Sequence, residues 1–383
     1  MRIMILGGDG FLGWPTAMYL SNKGHDVLVA DNYLRRTACI EKDTPPLFHL
    51  PNLLERKRFW EQKSGNTVEV DFADICYFRV LEDMVRKFQP DTIIHYAEQP
   101  SAPYSMAGYE EARLTLTNNL IGTLNVAQAV NAVNPDIHII KLGTMGEYGT
   151  PNIDIEEGFL EIEHKGRKDR VLFPRQAGSL YHTTKIQDTD LLYFYVRAWG
   201  LKVTDLMQGP VYGMFTDEMG DDPNLFTCFN YDEVFGTVLN RFLVQAVAGI
   251  PLTVYGKGGQ TRGYLNIKDT MQCLELAAET PAGKGEMRIF NQFTETFSVN
   301  ELASRVQQAG KLLDLDVKIQ QLPNPRVELE EHYYNPTHTG LKDLGLEPHL
   351  LTDQVLSEIL QQIGKVKDQI REDIILPKTE WRK

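Results

Sequence analysis

The residue pair best suited to catalysis is Tyr181 and Lys185, which lie four residues apart at the start of an amphipathic helical pattern. On a helix this spacing places both side chains on one face. A lysine ammonium beside a phenol favours the phenolate and lowers a phenol pKa that is ordinarily about 10. Such a tyrosine can accept the proton of a sugar hydroxyl while a hydride leaves the same carbon. The spacing alone also occurs on solvated helix faces, so other segments must support this chemistry.

A glycine-rich turn near the N-terminus supplies the partner that hydride chemistry needs. The apolar run 2–6 predicts a central parallel strand, and Gly7, Gly10 and Gly13 follow it before a helical pattern. Glycines at this spacing allow a tight turn and a close approach of the backbone to a pyrophosphate at the helix N-terminus. The alternative is a glycine-rich turn that binds no nucleotide.

An acidic residue at the end of the next strand favours NAD as the nucleotide. The predicted strand 26–30 ends at Asp31, at the distance of about 20 residues where a carboxylate binds the adenosine ribose hydroxyls of NAD. A carboxylate there disfavours the 2′-phosphate of NADP, although Arg35 and Arg36 lie nearby and would suit that phosphate. A simple strand-end cap is the alternative role for Asp31.

A threonine after a later strand completes the set. Thr144 follows the predicted strand 137–142 and opens a glycine-containing turn. A residue at the carboxyl end of a parallel strand points into the cleft where such sheets bind ligands. We therefore expect Thr144 to hydrogen-bond the hydroxyl that Tyr181 deprotonates, and a tight turn with a capping threonine is the alternative.

The elements that must position these residues alternate between strands and helices. This alternation predicts an α/β protein with a Rossmann-type doubly wound parallel sheet and a smaller mixed α/β C-terminal substrate domain. We expect residues 1–207 to form the cofactor domain, and residues 208–383 mainly the substrate domain, with one segment that returns to the sheet. Two insertions, 33–66 and 150–178, interrupt the pattern. Further predicted elements are strands 67–70, 92–95, 201–206 and 252–256, helices 78–88, 105–132 and 298–311, and a β-hairpin of residues 159–163 and 170–173 over the site.

Composition excludes several classes of protein. The 383 residues carry a net charge of −13, which disfavours a nucleic-acid or anionic membrane surface as partner. The four cysteines are far apart, without the spacing of a metal site or a disulfide framework. This pattern predicts no metal site and a reducing cytoplasmic compartment, that of a bacterium or archaeon or of a processed plastid-type protein. Neither a membrane span nor a signal or transit peptide is expected.

The candidate cofactor and catalytic residues described above form a set that resembles that of the extended short-chain dehydrogenase/reductases acting on nucleotide sugars. Within this family, residues 141–158, 254–265 and 324–328 are similar to the members that join sulfite to UDP-glucose, and the resemblance covers nearly the whole chain. Sibling dehydratases carry Thr-Asp-Glu where this chain has Thr144, Met145 and Gly146. Those sulfite-using members carry an arginine where this chain has Pro100, so we expect sulfite delivery to differ in detail. The residues that carry the family resemblance are Gly7, Gly10, Gly13, Asp31, Thr144, Tyr181 and Lys185.

The resemblance implies a reaction that begins with oxidation of the glucose C4 hydroxyl by NAD. Water is then lost from C5 and C6, sulfite adds at C6, and the hydride returns to C4. Tyr181 is the implied base, Lys185 supports it and Thr144 orients the hydroxyl. Met145 and Glu147 flank C5 and C6. Glu147 is the candidate for moving a proton there, with a solvated turn carboxylate as its alternative role, and Met145 is a wall of the site.

The resemblance also implies a binding set for each ligand. Arg262 and Arg326 are expected on the UDP diphosphate, with surface ion pairs as their alternative role. The remaining substrate set is Thr144, Gly146, Glu147, His182, Gln208, Asn240, Thr253, Tyr255 and Gln260. The cofactor set is Gly7, Asp9, Gly10, Phe11, Leu12, Gly13, Asp31, Asn32, Arg35, Arg36, Asp74, Ile75, Ala97, Gln99, Asn119, Tyr181, Lys185, Gln208 and Val211.

Several expectations concern partners and alternative activities. The resemblance implies a homodimer, built from the helix of residues 105–132 and the Tyr181 helix, with tightly bound and recycled NAD. Sulfite arrives free or from a delivering protein. The alternative activities are those of a UDP-sugar 4-epimerase, dehydratase or decarboxylase of the same family. A non-catalytic NAD-binding relative would be expected to lack Tyr181 or Lys185, and this chain has both.

Overall fold

A computed structural model describes residues 1–324 and 332–378, and strands alternate with helices along most of this part of the chain. The strands are β1 Arg2–Leu6, β2 Asp26–Asp31, β3 Glu69–Phe72, β4 Thr92–His95, β5 His138–Thr144, β6 Phe159–His164, β7 Arg167–Leu172, β8 Lys202–Gln208, β9 Val211–Tyr212, β10 Leu252–Tyr255, β11 Thr261–Asn266, β12 Met287–Gln292, β13 Glu295–Ser298 and β14 Ile319–Leu322. The helices are α1 Gly13–Asn22, α2 Leu34–Glu41, α3 Leu53–Ser64, α4 Phe78–Phe88, α5 Ala102–Ser105, α6 Tyr109–Leu116, α7 Gly122–Val133, α8 Leu180–Trp199, α9 Val238–Ala248, α10 Ile267–Glu279, α11 Val299–Lys311, α12 Gly340–Asp343 and α13 Asp353–Gly364.

Seven of these strands form one parallel sheet in the order β12-β8-β5-β4-β1-β2-β3. The chain runs outward from β1 in one direction and then from β4 in the other, so the order reverses between these two strands. Ligands of doubly wound sheets bind beyond the carboxyl ends of the strands at this reversal. The predicted Rossmann-type parallel sheet is confirmed.

The sheet is apolar on both faces because helices cover both of them. Successive side chains of a strand point to opposite faces. Accordingly, Met4 and Leu6 of β1 pack in one buried cluster with residues of α4 and α7, while Ile3 and Ile5 pack in another with residues of α1 and α10. This two-sided burial explains why residues 3–6 of β1 and 27–30 of β2 are continuous apolar runs rather than alternating ones.

The C-terminal half builds a third core and also contributes to the main sheet. Its core forms around α9, α11 and α13, next to the small sheets β10-β14 and β13-β11-β9. Strand β12 lies at the edge of the seven-stranded sheet, where it pairs with β8. The division of the chain at residue 207 stays a prediction.

Two predicted segments differ in the structure. The helix expected over residues 105–132 is divided into α5, α6, a π-helical turn at Thr117–Ile121 and α7. The first insertion contains α2 and α3, and α3 begins with an Asn52 capping box. The second insertion contains the predicted hairpin, formed by β6 and β7. Among the described residues, no helix has both the length and the apolarity to cross a membrane.

Candidate active site

The glycine turn forms one wall of a cavity of about 400 Å³ at the reversal of the sheet. Gly7 has φ +91°, and a Cβ there would lie 2.8 Å from the backbone nitrogen of Ala97. A Cβ on Gly13 would lie 2.1 Å from the carbonyl oxygen of Gly7. Any side chain at these two positions would therefore close the space between the turn, α1 and β4. The shape of the turn and the N-terminus of α1 fit a pyrophosphate.

Asp31 lies at the edge of this cavity at the end of β2. Its carboxylate accepts hydrogen bonds from the backbone N–H groups of Asp9 (2.9 Å) and Tyr33 (2.7 Å). Burial and the nearby Asp9 carboxylate raise the pKa of Asp31 to about 6, so the group is largely ionised at neutral pH. A buried carboxylate at a strand end suits a ribose diol, as the sequence predicts.

The two neighbouring arginines have other partners. Arg36 forms a bidentate ion pair with Asp9, at 2.6 and 2.7 Å, and also donates to the carbonyl oxygen of Leu50. Arg35 stacks over Phe235 at 3.9 Å. Since the Arg36 guanidinium is neutralised by Asp9, it does not offer a separate positive site for a 2′-phosphate. Arg36 therefore does not counter the preference that Asp31 gives for NAD, whereas Arg35 lines the cavity.

Most of the predicted cofactor residues line the first cavity, and a few do not. Asn119 is buried, accepts the backbone N–H of Gln99 (2.9 Å) and donates to Thr184 Oγ1 (3.0 Å), so it holds the wall in place. The predicted residues that line the cavity are Gly7, Gly10, Phe11, Leu12, Gly13, Asp31, Asn32, Arg35, Ile75, Ala97, Tyr181, Gln208 and Val211. Asp9, Arg36, Asp74, Gln99, Asn119 and Lys185 are not part of the lining.

A second cavity of about 670 Å³ adjoins the first. Thr144, Tyr181 and Gln208 line both of them. The hydroxyls of Thr144 and Tyr181 therefore belong to the junction of the two spaces, where a group bound in one cavity can react with a group bound in the other. Of the residues predicted to bind substrate, the second cavity is lined by Thr144, Gly146, His182, Gln208, Tyr255, Gln260 and Arg262.

Thr144 is held by the turn that it opens. Its Oγ1 accepts the backbone N–H of Gly146 (3.2 Å), and its own N–H donates to Glu147 Oε1 (3.3 Å) in a capping box of the 3₁₀ turn Met145–Glu147. This arrangement uses an acceptor site of the hydroxyl and leaves its proton to be donated to a ligand oxygen. The geometry fits the predicted orienting role.

Tyr181 and Lys185 lie on α8 as predicted, but the electrostatic expectation for them is wrong. Burial raises the pKa of Tyr181, and the carboxylates of Glu98 and Glu147 raise it further. The Lys185 ammonium forms an ion pair with Glu98 and lies 3.9 Å from Asp188 Oδ2. Burial alone would lower the pKa of Lys185, but these carboxylates outweigh it and the pKa is raised. The carboxylates thus oppose the charge of the lysine, and the pKa of Tyr181 is raised instead of lowered.

Glu98 is the main residue that the sequence analysis missed. It follows β4, lines the first cavity and lies 87 residues before the lysine that it binds. Its second carboxylate oxygen has no hydrogen-bond partner among the described residues, and His95 Nε2 is 3.8 Å from the first. Its position directly after a strand end, the same signal that identified Thr144, would have pointed to it.

Glu98→Gln should shift the pH dependence of sugar oxidation to lower pH. The substitution keeps the shape of the side chain and removes a negative charge that raises the pKa of Tyr181. A lower pKa places the reactive phenolate at lower pH, so the rising limb of kcat/KM should move in that direction. The measurement is the pH profile of cofactor reduction by UDP-glucose, with Glu82→Gln, a change on helix 78–88 that lines neither cavity, as control. A limb that stays in place or moves upward would contradict this assignment.

The turn residues Met145 and Glu147 divide between the cleft and the interior. Met145 lines the second cavity, as a wall should. Glu147 is completely buried, and its carboxylate lies 3.2 Å from Lys141 Nζ and 3.8 Å from Arg175 Nε. Glu147 is therefore not a solvated turn carboxylate, and it does not line the cleft where a C5 or C6 proton would be. The prediction that Glu147 moves a proton in the cleft is therefore corrected: the carboxylate supports the turn from the interior, where it accepts the N–H of Thr144.

Two predicted substrate residues also lie elsewhere, and a third cannot be placed. Asn240 lines the first cavity instead of the second. Thr253 is buried, with its N–H donating to Gln245 Oε1 (3.1 Å) and its carbonyl accepting from Arg241 (3.0 Å), so its backbone is not open to a base. Arg326 lies outside the described residues. Arg241, which sequence analysis did not select, lines the second cavity and stacks over Tyr255 at 4.3 Å.

Comparison with known proteins agrees with this site. The model of the NAD dependent epimerase/dehydratase family matches residues 3–291. The chain is 50% identical to the chloroplastic UDP-sulfoquinovose synthase of Spinacia oleracea, over all of this chain and 79% of that protein. It is 46% identical to the UDP-sulfoquinovose synthase of Sulfolobus acidocaldarius, over all of this chain and 98% of that protein.

A solved structure shares the fold. The UDP-glucose 4-epimerase of Bifidobacterium longum, in complex with NAD⁺ and UDP, has a TM-score of 0.71 and 19% identity, with 96% of this chain and 99% of that chain covered. The glycine cradle and Asp31 fit NAD as the cofactor of this chain, which is an NAD-dependent enzyme. The chain belongs to the NAD dependent epimerase/dehydratase family, and within it to the UDP-sulfoquinovose synthases.

Proposed function

We propose that this enzyme converts UDP-glucose and sulfite to UDP-sulfoquinovose and water, for the synthesis of a sulfolipid or another sulfosugar conjugate. The observation that carries the proposal is the position of Thr144 and Tyr181 in the lining of both cavities. One cavity has the glycine cradle of a dinucleotide, and the other has the arginines that suit a diphosphate. The similarity to the two synthases supports the same conclusion.

The first step is removal of a proton from the C4 hydroxyl. Tyr181 accepts this proton, and Thr144, whose Oγ1 already accepts the N–H of Gly146, donates its own proton to the same oxygen. NAD, when bound, accepts the C4 hydride in this step and returns it at the end. Lys185 and Glu98 hold an ion pair beside the phenol and keep the local charge balanced.

The middle steps exchange the C6 hydroxyl for sulfite. A ketone at C4 acidifies the C5–H bond, so loss of that proton and of the C6 hydroxyl releases one water. Sulfite then forms a C–S bond at C6 as C5 regains a proton, and the overall reaction involves no net oxidation. His182 lines the second cavity beside Tyr181, with its Nδ1 3.1 Å from Ser179 Oγ, and an imidazole can both take and return a proton at neutral pH. We assign it the proton transfer first given to Glu147.

The second cavity suits a UDP group. Arg262 and Arg241 line it, as do Tyr255 and Gln260. Guanidinium groups match phosphate oxygens in shape and charge. Pro100 lines both cavities at the position where an arginine was expected. With a neutral residue there, the sulfite anion depends on the remaining positive groups of the cleft.

Sulfite dependence tests this function directly. Purified protein is incubated with UDP-glucose, with and without sulfite, and the products are identified by mass spectrometry. The proposal requires a sulfonated UDP-sugar that forms only with sulfite. UDP-galactose in both samples would indicate a 4-epimerase, and a stable 4-keto-6-deoxy sugar would indicate a dehydratase. Conversion that needs a great excess of free sulfite would imply a protein that delivers it.

We also propose a homodimer, in a cytosolic compartment where its four unpaired cysteines stay reduced. The helices named for this interface expose Tyr109, Ile121 and Phe194. Leu192 and Tyr195 of α8 pack in the core of the chain. Light scattering at micromolar concentration should give twice the mass of the chain. Phe194→Asp should shift that mass toward the monomer, and a monomeric wild-type protein would contradict the proposal.

A further inference from the structure

Lys141 is completely buried in the middle of β5, yet its ammonium has several close polar contacts. Its Nζ lies 2.7 Å from Thr189 Oγ1, 3.1 Å from Asp205 Oδ2, 3.2 Å from Glu147 Oε1 and 3.3 Å from the carbonyl oxygen of Lys185. An ammonium has three N–H donors, so all of them are used and some are shared. These contacts come from β8, from α8 and from the turn after β5.

Two of the three connected elements carry the reacting hydroxyls, and the third ends at a residue that lines both cavities. Strand β5 ends at Thr144, helix α8 carries Tyr181, and strand β8 ends at Gln208. Glu147 extends the connection, since it accepts the N–H of Thr144 at 3.3 Å. The Lys141 ammonium thus connects the turn that holds Thr144 to the helix that carries Tyr181.

The network is balanced in charge and mostly removed from solvent. Lys141 and Arg175 supply two positive charges, and Glu147 and Asp205 supply two negative ones, with none of the four more than 5% exposed in the side chain. Buried ion pairs of this kind are often no more stable than well-packed apolar residues of the same volume. Their directional hydrogen bonds do fix geometry. Stability alone therefore gives little reason for this arrangement.

We propose that Lys141 is a positioning residue for sugar oxidation, which holds the Thr144 turn in register with the Tyr181 helix through Glu147, Thr189 and Asp205. The inference rests on the proposed function, because it assigns Lys141 to the C4 step of that reaction. The residue touches neither cavity and acts only through its neighbours. A displacement of about 1 Å at a reacting group can lower a rate by about 100-fold.

The test replaces the network by neutral groups of similar shape. Lys141→Met alone would leave two buried carboxylates and is not expected to fold well. The triple variant Lys141→Met, Glu147→Gln and Asp205→Asn removes three of the four charges, leaves Arg175 its ion pair with Asp190 (2.9 Å), and retains an oxygen to accept the Thr144 N–H. The control is Lys202→Met, which breaks an exposed ion pair of β8 with Asp136 (2.9 Å).

Three quantities are measured for each protein: the thermal midpoint, the Kd for UDP-glucose by calorimetry, and the rate of cofactor reduction by UDP-glucose without sulfite. The triple variant should match wild type in midpoint and in Kd within about twofold, while its rate falls by about 10- to 100-fold. Lys202→Met should match wild type in all three. A wild-type rate in the triple variant, or a loss that only follows weaker binding or a lower midpoint, would overturn the proposal.

A second background tests the route through Thr144. If Lys141 acts by placing Thr144, the triple variant should lower the rate of a Thr144→Ala protein by less than about threefold. The same loss in both backgrounds would overturn that route. The proposed function fails separately, because in that case wild-type protein itself would show no cofactor reduction with UDP-glucose.

Discussion

Tyr181→Phe should abolish conversion of UDP-glucose while the protein stays folded and continues to bind the nucleotide sugar. The phenol oxygen is the only atom removed, so the ring keeps its packing beside His182. Loss of a general base typically lowers a rate by about 10²- to 10⁴-fold. Because Tyr181 lines both cavities, the first step is the one that should stop. The measurement is the absorbance of reduced cofactor after UDP-glucose is added without sulfite.

The matched control for this change is Tyr195→Phe. Tyr195 lies on the same helix, and its hydroxyl accepts a hydrogen bond from Gln128 (3.0 Å) away from both cavities. The control should reduce its cofactor at the wild-type rate. If Tyr181→Phe also does so, Tyr181 is not the base and the mechanism is wrong.

Lys185→Met should damage both stability and catalysis. The ammonium is buried between Glu98 and Asp188, and the side chains of these two carboxylates are only 6% and 0% exposed. Removing one partner of a buried pair costs about 3–5 kcal/mol. Burial and the Glu98 charge already raise the pKa of Asp188, and loss of Lys185 would raise it further. A folded-state pKa above the unfolded value makes stability fall as pH rises, so the defect should be larger at neutral pH than at pH about 5.

A double variant separates the two effects of this change. Lys185→Met with Glu98→Gln removes one of the two carboxylates that lose their cationic partner and should recover part of the lost stability, measured by urea unfolding. Sugar oxidation should stay low, because the ammonium beside Tyr181 is still missing. Full activity in the double variant would mean that Lys185 serves only to neutralise Glu98.

The sequence predicted the parts of the site that depend on local backbone geometry. Gly7 and Gly13 are where a Cβ would collide, and Asp31 and Thr144 end strands that meet at one edge of the sheet. The electrostatics of Tyr181 were beyond such reasoning. Spacing on a helix shows which side chains share a face, but the charge that opposes Lys185 comes from another strand end, 87 residues away.

Other errors have equally physical causes. The predicted helix of residues 105–132 contains a π turn at Thr117–Ile121, which places Asn118 in the cavity lining and Asn119 against Gln99. Turns of this type recur at functional sites and have no clear signal in apolar periodicity. Glu147 was expected in the cleft because the family resemblance implies a position beside C5 and C6. The buried Lys141 forms an ion pair with Glu147 and keeps this carboxylate in the interior.

Deuterium at C4 of UDP-glucose offers the most direct test of the central claim, that one active site oxidises and then reduces the same carbon around sulfite addition. Wild-type protein is given the labelled substrate and sulfite, with unlabelled NADH in solution, and the product is analysed by mass spectrometry. The account predicts UDP-sulfoquinovose that retains the deuterium at C4, because the hydride returns from the same bound cofactor. A sulfonated product without the label, or a labelled product without sulfur, would contradict it.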